Sequence, residues 1–176
     1  FTNDPTPIDY TINDNDGNTS NIAVITVDYV PVASDDLSDG NTTNTNITVD
    51  ILANDTNGDL VDATTVSLDL TGLPIDATCT ATDANGDCIE ITVPGQGVYS
   101  VNETTGAITF DPEAGFTANP DPITYNVEDH EGNPDSAILT IEFDAQLPIA
   151  TDNESLANVA GDVTQQVVTE DDGDGV

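Results

Sequence analysis

Four short loops carry oxygen-bearing side chains at alternate positions beside a glycine. They are Asp14-Asn-Asp16-Gly-Asn18, Asp55-Thr-Asn57-Gly-Asp59, Asp83-Ala-Asn85-Gly-Asp87 and Asp129-His-Glu131-Gly-Asn133. Alternate oxygens on a tight loop suit a hard cation such as Ca²⁺. None of the loops has the bidentate Glu that closes an EF-hand. Asn-Gly and Asp-Gly are also the strongest signals of a tight hairpin turn, which needs a positive φ and nothing else. For any one loop both readings stand. The densest ligand set is Asp55, Asn57, Asp59 and Asp62. A second group, Asp35 and Asp36, follows Pro31, and its counterparts Asp152 and Asn153 follow Pro148. Calcium there would fix the angle between neighbouring domains; the plainer alternative is a solvated, proline-stiffened linker without metal.

Cys79 and Cys88 flank the third loop. Two cysteines are too few for a structural zinc site. A hairpin over this stretch would let the sulfurs meet. A disulfide closing so short a loop is worth about 2.5–3 kcal/mol in the chain-entropy model and points to an oxidising compartment. Two separate buried thiols are the alternative. His130, the single histidine, lies in an acidic turn, and an exposed position is expected rather than metal ligation. There is no nucleophile elbow, no phosphate loop and no dinucleotide fingerprint. Carboxylate pairs are inevitable among 34 acidic residues, so they carry no weight as glycosidase machinery. The chain is read as non-enzymatic.

The 176 residues include no Lys and no Arg, giving a formal charge of -34. Nucleic acid and anionic membrane surfaces are excluded as partners, because both are held through basic side chains. Side-chain ion pairs are impossible except through His130. Repulsion on this scale opposes a compact state unless salt, protons or metal relieve it, and Ca²⁺ at some of these loops is the expected structural cofactor. Lysine–asparagine cross-links cannot form, and trypsin has no site. No apolar run approaches the ~20 residues of a membrane span. The chain has no Met and reads as a window cut from a longer one.

The elements that must position these loops come from an internal repeat. Phe1-Thr-Asn-Asp-Pro-Thr-Pro-Ile-Asp-Tyr-Thr-Ile12 returns as Phe116-Thr-Ala-Asn-Pro-Asp-Pro-Ile-Thr-Tyr-Asn-Val127. Asp14–Asn18 returns at Asp129–Asn133, Ala23–Tyr29 at Ala137–Phe143, and Pro31–Asp36 at Pro148–Asn153. Residues 1–30 are therefore expected to be the last strands of one repeat, 31–147 a complete repeat, and 148–176 the opening of a third. The spacing is about 115–117 residues. Apolar residues alternate at Ile47/Val49/Ile51, Val66/Leu68/Leu70, Ile89/Ile91/Val93, Ile123/Tyr125/Val127 and Ala137/Leu139/Ile141/Phe143. Further short strands are expected at 98–101, at 107–110 and in the first arm of the cysteine hairpin. Period-two alternation between Gly-, Asn-, Asp- and Pro-rich turns predicts an all-β fold of tandem immunoglobulin-like β-sandwiches. Tyr10 and Tyr125 occupy equivalent strand positions and are expected in the core.

Four stretches carry a family resemblance: Val49-Asp-Ile-Leu-Ala-Asn-Asp55, Gly95-Gln-Gly-Val-Tyr-Ser-Val101, Thr105-Gly-Ala-Ile-Thr-Phe-Asp-Pro-Glu-Ala-Gly-Phe-Thr117, and Ile123-Thr-Tyr-Asn-Val-Glu-Asp129 with Gly132-Asn133. In this order and spacing the chain resembles the CshA-type fibril repeat of bacterial surface proteins, a branch of the immunoglobulin-like and cadherin-like modules. The resemblance implies an extracellular tandem array serving as an adhesive fibril or stalk. Its partners would be neighbouring repeats of the same chain and other copies in a filament. Two features depart from it, the cysteine hairpin and the complete lack of basic residues. The alternatives are a module that itself binds carbohydrate or a host protein, and an accessory domain of a large secreted enzyme.

Overall fold

A computed structural model describes residues 3–144, and among them every regular element is a strand except one short 3-10 helix, Ala63–Thr65. Two strands stand apart as an antiparallel hairpin, β1 (Ile8–Tyr10) and β2 (Ala23–Ile25). After it come β3 (Pro31–Val32), β4 (Asp36–Asn41), β5 (Ile47–Val49), β6 (Asn57–Gly58) and β7 (Ser67–Asp69). The chain continues with β8 (Thr78–Thr82), β9 (Cys88–Val93), β10 (Gly97–Val101), β11 (Ile108–Pro112), β12 (Ile123–Glu128) and β13 (Pro134–Phe143). One sheet has the order β5-β11-β10-β9-β8 and the other β4-β13-β12-β7, while β3 and β6 form a two-residue clip. This is the all-β sandwich that the alternation predicts.

The core lies between the two large sheets, and the period-two rule builds it. Ile123, Tyr125 and Val127 are fully buried, whereas Thr124, Asn126 and Glu128 face outward. Ile91 and Val93 on β9, Tyr99 on β10, Ile108 and Phe110 on β11, and Leu139 and Ile141 on β13 complete the same layer. Each such side chain contributes roughly 1.5–3 kcal/mol through removal from water. Tyr99 and Phe110 are direct cross-strand partners, with ring centroids 4.6 Å apart. Phe116 and Phe143 extend this contact edge to face, at 6.3 and 6.4 Å.

Three strands have no alternating apolar pattern to announce them. β4 (Asp-Leu-Ser-Asp-Gly-Asn) runs parallel to β13 at the sheet edge, where backbone pairing rather than burial holds it. β3 and β6 are two residues each and exist because the linker docks there. Ile51 and Leu70 fall just beyond the strands expected to contain them. Ile51 is nonetheless fully buried, and Leu70 is exposed.

Hydrogen bonds repeat along with the sequence. Asp4 accepts from Tyr29 N at 2.7 Å, and its counterpart Asn119 accepts from Phe143 N at 2.8 Å. Asp14 accepts from Asp16 N, Asn18 N and Asn18 Nδ2; Asp129 accepts from the equivalent Glu131 N, Asn133 N and Asn133 Nδ2. Burial does not repeat. Tyr125 is fully buried but Tyr10 is 45% exposed, which corrects the expectation of a core position for Tyr10. Among the described residues the β1–β2 hairpin has no second sheet over it, so Ile8, Tyr10 and Ile25 present a bare apolar face.

Candidate functional site: acidic loops at the joint

The first Asp of three loops is consumed by its own turn. In Asp14, Asp83 and Asp129 one carboxylate oxygen accepts from backbone N–H groups two to four residues on, at 2.8–3.0 Å. These side chains fold the loop whatever else they do. Hydrogen bonds from Asn18 hold the Asp14 carboxyl below its usual range. For Asp129, burial pushes upward, but the bonds from Asn133, Glu131 and Gly132 outweigh it and the net shift is downward.

The second loop behaves differently, because its four candidates do not converge. Asp55 is buried and accepts from Ser34 N at 2.7 Å. Asp62 caps the 3-10 helix, accepting from Thr64 N and Thr64 Oγ1, and those bonds lower its pKa. Asp62 also meets His130 Nδ1 at 3.0 Å, and His130 is well exposed. Asn57 pairs with Val32 through the backbone. Asp59 is buried and lies with Asp129 and Glu131, their candidate ligand oxygens within 4.8 Å of one another. This trio joins residues from two loops that are 70 positions apart in the chain.

The trio sits where the hairpin unit meets the sandwich. Asn133 Nδ2 donates to Asp28 at 3.2 Å, and Asp4 is close enough for its charge to bear on Glu131. Burial first, then the charges of Asp59, Asp129 and Asp4, raise the Glu131 pKa. Asp59 spends one oxygen on Leu60 N at 2.8 Å. Asp59, Asp129 and Glu131, all on the sandwich side of the joint, can together offer carboxylate oxygens to a divalent cation.

The linker itself is stapled residue by residue. Val30 O accepts from Asp59 N at 3.0 Å, and Pro31 and Val32 pair with Gly58 and Asn57. Ala33 N donates to Asp135, Ser34 N to Asp55, and Asn54 Nδ2 to Asp35 O. Asp35 accepts from Ile138 N at 2.9 Å. The Tyr125 hydroxyl lies 2.8 Å from Asp36 Oδ2, 3.1 Å from Ser34 O and 3.5 Å from Asp55 Oδ2. One phenolic hydrogen thus serves three acceptors. Burial, with the charges of Asp55 and Asp35, pushes Asp36 up to about 6 although the Tyr125 bond opposes this. Asp35 and Asp36 therefore spend oxygens tying the linker to its own sandwich, and Asp152 and Asn153 lie outside the described residues. The Pro31 linker is docked rather than solvated.

Cys79 and Cys88 form a disulfide across the β8–β9 hairpin, their Cα atoms 6.0 Å apart. In the third loop Asn85 and Asp87 remain exposed. Sequence reasoning missed Asp4, Asp28, Asp135 and the Tyr125 hydroxyl. Asp4, Asp28 and Tyr125 each left a signal, since their repeat counterparts Asn119, Glu142 and Tyr10 also carry an oxygen.

Residues 69–143 match the family model of the surface adhesin CshA repetitive domain. The match runs from the last residue of β7 to the end of β13, so it includes the cysteine hairpin and the 129–133 turn. No curated protein and no solved structure matches the chain. The CshA repeat family implies a surface adhesin repeat, and with it a non-enzymatic role and a place at the cell surface. Among the described residues, no helix is long and apolar enough to cross a membrane.

Proposed function

We propose that the chain is a structural segment of an extracellular bacterial surface fibre or adhesin stalk, with calcium stiffening its joints. The observation that supports this is the meeting of Asp59, Asp129 and Glu131 beside Asp4 and Asp28 of the preceding unit. Ca²⁺ takes six to eight oxygens in a flexible shell, and waters would complete what these carboxylates begin. A bound cation would offset like-charge repulsion at the point where two units must stay together. Asp14 and Asp16 are the repeat counterparts of Asp129 and Glu131, so the reading extends to one cation per joint. Residues 1–30, 31–147 and 148–176 then belong to successive repeats. The bare face of the β1–β2 hairpin would be covered by the upstream strands of its own repeat, as Tyr125 is covered here.

The test is calcium titration of the whole chain by calorimetry, with small-angle scattering before and after chelation. Binding in the 10⁻⁴–10⁻³ M range of extracellular modules is expected. It should be lost in the double variant Asp59→Asn, Glu131→Gln, and the chelated chain should sample more bent shapes. If binding survives the double substitution, the cation sits elsewhere. Identical scattering with and without calcium defeats the stiffening model.

A further inference from the structure

We propose that Asn57 is a modification site, where spontaneous deamidation, mainly to isoaspartate, releases the linker from the β3–β6 clip. The chain has two Asn-Gly pairs, Asn57-Gly58 and Asn85-Gly86. In such a pair the glycine amide can attack the asparagine carboxamide, because no side chain on the glycine shields its nitrogen. Gly58 cannot be exchanged to slow this. Its φ is +73°, and an added Cβ would lie 2.2 Å from Val30 O. The close approach that docks the linker therefore fixes the most reactive kind of neighbour beside Asn57.

The two pairs differ in how their groups are engaged. Gly86 N donates to Asp83 Oδ1 at 2.8 Å, and the same oxygen accepts from Asn85 N and Asp87 N. A carboxylate beside the Gly86 N–H opposes loss of its proton, and the three bonds hold Asn85 in its turn. The Gly58 N–H has no such anchor. Asp59 N bonds to Val30 O, so Val30–Asp59 and Val32–Asn57 are the hydrogen-bonded pairs of the clip, with Pro31–Gly58 between them. The Gly58 N–H thus points away from β3. Asn57 is exposed, and among the described residues its carboxamide has no hydrogen bond. Each strand of the clip is two residues long, so the local opening that brings the carboxamide onto the Gly58 nitrogen breaks few bonds.

The reaction needs only water. Solvent hydroxide takes the Gly58 amide proton, the nitrogen bonds to Asn57 Cγ, and the Cγ–Nδ2 bond breaks. Ammonia leaves, carrying a proton from water. A second water opens the succinimide at either carbonyl. One opening gives aspartate. The other gives isoaspartate, whose main chain runs through Cβ and Cγ and is one atom longer. That extra atom shifts position 57 against Asp59, so the Val32–Asn57 pairing and the 3.0 Å bond from Asp59 N to Val30 O cannot both be kept. The new carboxylate also adds like charge between Asp55 and Asp59. Release is irreversible, so the joint loosens with age. This consequence rests on the docked linker and not on bound calcium.

The experiment ages the whole chain at mildly alkaline pH and maps it by mass spectrometry after digestion beside acidic residues, with enzymatic methylation to detect isoaspartate. Asn57 should convert several-fold faster than Asn85, with isoaspartate the main product. In the aged chain the Asp59 amide should exchange with solvent at least about tenfold faster, the loss of one hydrogen bond, while amides of β12 stay protected. Asn57→Gln should block both changes. Asn57→Asp adds the charge without the extra backbone atom and should keep most of the protection at Asp59. Melting midpoints equal to that of the fresh wild-type chain would show that both variants fold. The proposal is overturned if Asn57 survives while Asn85 converts, if isoaspartate at position 57 leaves Asp59 exchange unchanged, or if fresh Asn57→Asp exchanges as fast as the aged chain.

Discussion

Replacing Gly58 by alanine should unhook the linker while leaving the sandwich folded. Gly58 has φ +73°, and a Cβ there would lie 2.2 Å from Val30 O and 3.1 Å from the Pro31 carbonyl carbon. Left-handed backbone costs an ordinary residue about 1–2 kcal/mol. The Val30 carbonyl must also retreat, which breaks its 3.0 Å bond with Asp59 N and loosens the Pro31–Gly58 pairing. At about 0.5–1.5 kcal/mol per bond, the local loss comes to about 3 kcal/mol, or roughly a hundredfold in the opening equilibrium. Gly72→Ala is the control, because φ is +89° there and nothing lies within 4 Å of an added Cβ. It carries the backbone strain without the collision. Hydrogen exchange at the Asp59 amide reads the hook directly, and calorimetry reads the sandwich. Gly58→Ala should speed Asp59 exchange far more than Gly72→Ala does, with only a modest fall in the melting temperature. Equal exchange rates at Asp59 in the two variants would mean that the linker is not held by this close approach.

Replacing both Cys79 and Cys88 by serine should cost about 2.7 kcal/mol from the short loop released, or about 10 °C in melting temperature for a domain of this size. An unchanged calorimetric midpoint would show that the hairpin opens independently of the sandwich. Asp36, held up to about 6 by burial and by the charges of Asp55 and Asp35, makes a signed contribution to stability. Between about pH 4 and 6 the folded chain keeps a proton that the unfolded chain has released, so this contribution falls as pH rises through that window. In urea titrations at pH 4.5 and 7, Asp36→Asn should remove part of the wild-type pH dependence. Parallel curves for the two proteins would refute the raised pKa.

Much of the architecture could be read from residue order. Alternation at Ile123/Tyr125/Val127 and Ala137/Leu139/Ile141 assigns strands and their buried faces at once, because a period of two leaves one face for the core. The repeat between residues 1–12 and 116–127 located matching turns, and the Asp14 and Asp129 hydrogen bonds coincide. The cysteine spacing allowed the hairpin disulfide. These are local properties, set by neighbours a few positions away.

The composition of the acidic cluster was not legible, because it depends on contacts distant in sequence. Nothing near Asp59 says that it turns from Asp55 towards Asp129 and Glu131. That direction follows from Gly58 letting the backbone press against Val30 and from the β3–β6 clip that results. β4 escaped notice for a related reason, since an edge strand held by backbone pairing needs no apolar alternation. Short-range pattern sets which face of each strand is buried; which carboxylates gather is decided when segments far apart in the chain are packed together.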